Sequence, residues 1–84
     1  MIAIKFYSET CGSCKLIEKE LKSILEKKFV TYYQINAEKS ADICHEFNIK
    51  NLPTVVIFED GKELNRFIGY KNEQEISKWL EKLK

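Results

Sequence analysis

The sequence contains few of the features that would indicate a large, repetitive or membrane-bound protein. It has 84 residues with one proline, three glycines and one histidine, and it shows no internal repeat, low-complexity tract or linker. No apolar segment approaches the ~18 residues that a bilayer span needs. Lys5 also interrupts the N-terminal apolar run too early for a secretory leader. We therefore expect one cytoplasmic domain over residues 1–84, with no membrane partner.

The sequence also lacks an excess of charge of either sign. Lysine and arginine number 14 and aspartate and glutamate 13, which gives a net charge of +1. Such a balance provides no electrostatic field to attract nucleic acid or an anionic membrane. We expect no nucleic-acid partner.

Metal-binding patterns are missing as well. Three cysteines are present, but there is no second C-x-x-C and no pair of histidines, whereas a structural zinc ion needs four ligands. Cys44 and His45 are adjacent on a predicted helix, where side chains point about 100° apart. We predict no metal and interpret Cys44 as a small buried hydrophobic residue, with a regulatory or dimer-forming thiol as the alternative.

The segment Cys11-Gly12-Ser13-Cys14 is the part of the sequence most typical of a chemical function. It joins an apolar, strand-like run at residues 2–7 to a helix predicted over 13–27. A thiol at the start of a helix lies beside unpaired backbone N–H groups, which favour the thiolate and lower its pKa below the ~8.5 of a free cysteine. We predict that Cys11 is the nucleophile and Cys14, one turn later, the resolving thiol.

The hydrophobic pattern predicts strands and helices in the order β-α-β-α-β-β-α. Strands are predicted over residues 2–7, 29–35, 55–58 and 63–69, with a hairpin at Asp60-Gly61. The first two strands should form a right-handed parallel βαβ unit. The second helix is capped by Asn36 or Ser40 and ends near Asn48, and the third begins at a capping arrangement of Asn72 with Glu75.

Apolar stripes define the buried faces of the first and last helices. Glu18, on the polar face of the first helix, is placed to pair with Lys22. The predicted core positions are Leu16, Ile17, Leu21, Ile24 and Leu25 in the first helix, and Ile76, Trp79, Leu80 and Leu83 in the last.

Three segments in this order resemble the thioredoxin superfamily over essentially the whole chain. Phe6-Tyr7 followed by Cys11-Gly12-Ser13-Cys14-Lys15 is similar to the active-site segment, Leu52-Pro53-Thr54 to the cis-proline loop, and Phe67-Ile68-Gly69-Tyr70 to the substrate-facing glycine. The resemblance implies an α/β thioredoxin fold, with a four-stranded mixed sheet in the order 2-1-3-4 flanked by three helices. It also implies a cis bond between Leu52 and Pro53.

The same resemblance implies a dithiol–disulfide oxidoreductase, an enzyme that reduces protein disulfides and is reduced again by a thioredoxin reductase-type partner. It implies a monomer without a cofactor. Two alternatives stay open, a glutathione-dependent glutaredoxin and a non-catalytic interaction module with the same fold. Besides the two cysteines, the residues implied to contact substrate are Thr10, Gly12, Ser13, Leu52, Pro53 and Gly69.

The sequence departs from the thioredoxin pattern around the cysteines. Thr10 stands where thioredoxins have tryptophan, and Ser13 where they have proline. No strand and helix precede the active-site strand, which gives a glutaredoxin-like outline. Gly69-Tyr70-Lys71-Asn72 nevertheless replaces the Gly-Gly-x-Asp glutathione site of glutaredoxins.

Lys5 is the sharpest departure, because thioredoxins have a buried acid at this position. Strand alternation places Lys5 on the same face as Ala3 and Tyr7. The simpler expectation is that its ammonium reaches water at an open sheet edge. The alternative is that the ammonium lies close to the active-site sulfurs and favours the thiolate, which would make Lys5 a modulator of the cysteine pKa.

Overall fold

The computed structural model describes residues 1–83 and contains the predicted seven elements in the predicted order. Within these residues, no helix is long and apolar enough to cross a membrane. The elements are β1 (Ile2–Tyr7), α1 (Gly12–Lys27), β2 (Thr31–Asn36), α2 (Ala41–Glu46), β3 (Thr54–Glu59), β4 (Lys62–Ile68) and α3 (Glu73–Glu81).

The four strands form one mixed sheet in the order β2-β1-β3-β4, which confirms the prediction. β1 runs parallel to β2 and antiparallel to β3, and β3 pairs antiparallel with β4. Thr54 at the start of β3 pairs with Phe6 near the end of β1 and with Ile68 at the end of β4. The segment before β3 and the segments after β1 and β4 therefore meet at the same end of the sheet, where these strands start or stop.

Apolar clusters lie on both faces of the sheet. The larger is shared by the sheet, α1 and α3, and the ring of Trp79 packs edge-on against Phe67 at its border, with the ring centroids 4.9 Å apart. The smaller lies under α2 and contains Phe6, Cys44 and Val56. The buried members of the larger cluster are Ala3, Ile17, Leu21, Ile24, Leu25, Val55, Ile57, Phe67, Ile76 and Leu80.

Leu16 does not belong to the core, so its predicted placement is wrong. Its side chain is 68% exposed, whereas Ile17 and Leu21 are fully buried. Cys14, Ile17 and Leu21 follow one another at spacings of three and four residues and define the face of α1 that meets the sheet. Leu16 is rotated by about 100° from Ile17 and therefore points into solvent.

The second strand begins later than predicted because Phe29 terminates α1. Phe29 has a φ of 57° and is 95% exposed. The N–H of Val30 donates to the carbonyl of Leu25, and the N–H of Phe29 to that of Glu26. This is a Schellman motif with a phenylalanine at the left-handed position that glycine usually occupies. β2 can start only after it, at Thr31.

The second and third helices differ in how they begin. Ser40 is the N-cap residue of α2 but makes no side-chain capping hydrogen bond, and Asn36 instead accepts hydrogen bonds from Glu38 and Lys39 in the preceding turn. Asn72 and Glu75 form the complete capping box predicted for α3. α2 is therefore a short helix of six residues with a weak start.

Candidate active site

Cys11 and Cys14 form a disulfide at the N-terminus of α1, with their Cα atoms 5.3 Å apart. Cys11 is the N-cap residue of the helix, and the backbone N–H of Cys14 donates to its Sγ over 3.2 Å. The hydroxyl of Ser13 lies 3.5 Å from the same sulfur. A hydrogen bond from a helix N-terminus stabilises negative charge on the sulfur once the disulfide is reduced.

The two cysteines differ in their access to solvent. Cys14 is 1% exposed, because it lies on the buried face of α1, whereas Cys11 is partly exposed at the surface. A bulky external disulfide can therefore approach the first sulfur and not the second. The order in which the two sulfurs attack stays a prediction.

The cis-proline loop and the glycine after β4 meet beside the end of β1, at one end of the sheet. The Leu52–Pro53 bond is cis, as predicted. The carbonyl of Pro53 accepts a hydrogen bond from the N–H of Gly69 over 2.9 Å, and the hydroxyl of Thr54 donates to the carbonyl of Asn51. These bonds fix the loop in front of β3, where Pro53 is buried and Leu52 partly exposed.

The remaining predicted site residues are Thr10 and Gly12, which flank Cys11 in the chain, and Gly69, which follows β4. Thr10 and Gly12 are exposed on either side of Cys11. The hydroxyl of Thr10 lies 3.4 Å from that of Ser8, so it is turned towards the loop after β1. Gly69 has a φ of 90°, a left-handed conformation that favours glycine at this position.

Lys5 does not extend into bulk solvent at an open sheet edge, so the simpler expectation for it is wrong. The residue is 2% exposed. Its ammonium lies 3.2 Å from Oε2 of Glu18 and donates to the carbonyl of Cys14 over 3.3 Å. The ring centroid of Tyr7 lies 5.1 Å from the same nitrogen. The ammonium thus points along the sheet towards the start of α1, where these partners compensate the loss of hydration.

Glu18 and Tyr32 belong to this site, although the sequence did not indicate them. Glu18 pairs with Lys5 rather than with the predicted Lys22, and the hydroxyl of Tyr32 donates to its Oε1 over 2.6 Å. Burial raises the pKa of the Tyr32 phenol well above its usual range, and the hydrogen bond to Glu18 raises it further. The spacing of four residues between Cys14 and Glu18 is the signal that could have identified the carboxylate.

No group of three or more histidine, cysteine, aspartate or glutamate side chains comes together to hold a metal within residues 1–83. The two sulfurs of the C-x-x-C are instead bonded to each other. What this arrangement can do chemically is exchange its disulfide with an external thiol or disulfide.

Comparison with known proteins identifies relatives across almost the whole chain. The thioredoxin family model matches residues 1–82. A thioredoxin of Mycoplasma pneumoniae is 37% identical over 70 residues, which are 82% of this chain and 69% of the relative. A putative protein disulfide-isomerase of Schizosaccharomyces pombe is 28% identical over 85 residues, and the match spans 98% of this chain and only 17% of that protein.

Solved structures agree with the sequence relatives. The germline-specific thioredoxin Deadhead of Drosophila melanogaster superimposes with a TM-score of 0.88 and 26% identity, and the match covers 99% of this chain and 80% of that one.

The fold and the paired cysteines together define a thiol–disulfide oxidoreductase. Proteins of this kind act on disulfide substrates and are themselves reduced by reductases. With the family model matching residues 1–82 and a relative that is 37% identical, the chain belongs to the thioredoxin family.

Proposed function

We propose that the protein is a thioredoxin-like reductant of protein disulfides in the cytoplasm, with Cys11 as the nucleophile and Cys14 as the resolving thiol. The observation that carries this proposal is the contrast in exposure across one helical turn. Cys11 is accessible and accepts a backbone hydrogen bond at its sulfur, whereas Cys14 is 1% exposed directly behind it. An external disulfide can therefore reach the sulfur of Cys11, whereas the shielded Cys14 can attack only the mixed disulfide on Cys11.

The proposed reaction proceeds in two exchanges. The Cys11 thiolate attacks one sulfur of the substrate disulfide, forms a mixed disulfide and releases the other substrate sulfur as a thiolate. The Cys14 thiolate then attacks Sγ of Cys11, which closes the Cys11–Cys14 disulfide and releases the second substrate sulfur. Two electrons have passed to the substrate, and the enzyme is left oxidised. A thioredoxin reductase-type partner restores the dithiol of the monomer.

The proposed substrate surface is the end of the sheet where the cis-proline loop lies beside Gly69. The Pro53 carbonyl is occupied by the Gly69 N–H, so the backbone of Leu52 is the group proposed to pair with an extended substrate segment. Such pairing would hold the target disulfide in line with Cys11. Thr10, Gly12 and Ser13 complete the proposed surface, and the partial exposure of Leu52 supports it.

Two substrates test the proposal, each with wild type and Cys14→Ser. The first is insulin with dithiothreitol, and the second is a glutathione mixed disulfide with glutathione. We expect wild type to reduce insulin and Cys14→Ser to lose that activity, because the mixed disulfide is no longer resolved. Glutathione-dependent activity that survives in the variant would instead indicate a glutaredoxin. No activity on either substrate would indicate a non-catalytic module.

A further inference from the structure

The resolving cysteine lies next to a buried ion pair that the two exchange steps do not use. Lys5 donates to the carbonyl of Cys14, and its charge is matched by Glu18 at 3.2 Å. Tyr32 occupies the other carboxylate oxygen of Glu18. Two fixed donors therefore hold this carboxylate on the same helical face as Cys14, one turn further along α1.

A groove of about 240 Å³ connects the two residues, and it is wide enough for several waters at about 30 Å³ each. Cys14 and Glu18 both line it, so water in the groove can lie between the two residues. The other lining residues are Lys5, Tyr7, Ser8, Glu9, Lys15 and Gln34.

We propose that Glu18 is the proton acceptor for the thiol of Cys14, with water in the groove as the carrier and with Lys5 and Tyr32 as the residues that position the carboxylate. The inference rests on the proposed function, since only a resolving Cys14 has to lose a proton before it attacks. The proton passes from Cys14 Sγ to the Glu18 carboxylate. The Cys14 thiolate then forms the bond to Cys11 Sγ, and the departing substrate thiolate takes up a proton in its turn.

The other ionisable groups around the groove are less suited to this role. The side chains of Lys5 and Lys15 are hydrogen-bond donors, and the ring of Tyr7 lies against the Lys5 ammonium. Burial and the bond to Glu18 raise the pKa of Tyr32, which keeps it a hydrogen-bond donor. Glu9 is the second carboxylate of the groove, but its side chain is exposed and has full access to bulk water.

The test separates the two exchanges with 5,5′-dithiobis(2-nitrobenzoate), which releases one coloured thiolate when Cys11 attacks and a second when Cys14 resolves. Stopped-flow traces are recorded for the reduced protein from mildly acidic to alkaline pH. For Glu18→Gln we expect the first release to be retained and the second to slow by at least about tenfold near neutral pH. The second release should recover as pH rises, because hydroxide replaces the missing acceptor.

Matched variants distinguish this role from others. Glu20→Gln changes a glutamate of the same helix that bonds Tyr70 and does not line the groove, and it should leave both releases unchanged. Cys14→Ser should retain only the first release, which tests the proposed function independently of Glu18. If Glu18→Gln is poorly folded, Lys5→Met/Glu18→Gln removes both charges and should still resolve slowly.

Two results would overturn the inference. A second release that is faster in Glu18→Gln would mean that the carboxylate acts only as a charge that opposes the Cys14 thiolate. A second release that is slow in Glu9→Gln and normal in Glu18→Gln would assign the proton transfer to the exposed carboxylate.

Discussion

Breaking the ion pair of Lys5 and Glu18 should destabilise the protein unequally, depending on which partner is removed. The Lys5 side chain is 3% exposed and that of Glu18 24%. In Glu18→Gln the ammonium stays buried without its counter-charge, and removal of one partner of a buried pair costs about 3–5 kcal/mol. We expect the free energy of unfolding to fall by about 3 kcal/mol, at the lower end of this range. The carbonyl of Cys14 and the ring of Tyr7 remain beside the nitrogen and partly stabilise its charge.

Lys5→Met removes the buried charge and keeps an apolar stem of similar length. Glu18 then retains its bond from Tyr32 and can turn towards solvent, so we expect a loss of about 1 kcal/mol or less. The double variant should resemble Lys5→Met, which makes the coupling between the two residues about 3 kcal/mol, equal to the whole loss in Glu18→Gln. A domain of this size has a free energy of unfolding of about 4–13 kcal/mol, so all three variants should fold.

Urea unfolding of the oxidised proteins measures these differences with the disulfide held constant. Glu20→Gln on the outer part of the same helix is the control and should unfold like wild type. The reasoning is refuted if Lys5→Met is more destabilising than Glu18→Gln, or if the two single losses simply add in the double variant.

The remaining predictions concern α1, the thiols and the charge of Lys5. Leu21→Ala should lower the free energy of unfolding by about 2–5 kcal/mol because Leu21 is fully buried, whereas Leu16→Ala should change it little. Equal losses in urea unfolding would contradict the assigned helix face. In the reduced protein at mildly acidic pH, iodoacetamide should label Cys11 well before Cys44, since burial raises the pKa of the Cys44 thiol; mass mapping that finds the reverse order would be inconsistent with the nucleophile assignment. Lys5→Met should move the thiolate absorbance titration of Cys11 to higher pH because it leaves a negative charge uncompensated, and overlaying curves would show that Lys5 has no electrostatic effect on the site.

The features that the sequence predicted correctly depend on local patterns. The order of the elements, the sheet order, the capping box of α3 and the Asp60-Gly61 hairpin each rest on periodicity, on turn residues or on the family resemblance. The cysteine pair at the start of α1 was equally clear, because the C-x-x-C lies between an apolar strand and an amphipathic helix.

The errors arose where neighbours in space, not in sequence, decide the structure. An aromatic residue favours a strand by propensity, yet Phe29 adopts a left-handed conformation because the end of α1 requires it there. Lys5 was expected in water because strand alternation says nothing about a carboxylate 13 positions away that meets it across the helix–sheet contact. Glu18 and Tyr32 were missed for the same reason.

The weak start of α2 has a consequence for the one free thiol among the described residues. This six-residue helix without a side-chain cap covers Cys44, which is 7% exposed. Short segments with few stabilising bonds open far more often than the whole domain unfolds. Local opening of α2 should therefore govern the rate at which Cys44 reacts with a small thiol reagent. That rate then measures how often the helix opens on the face of the sheet opposite α1 and α3.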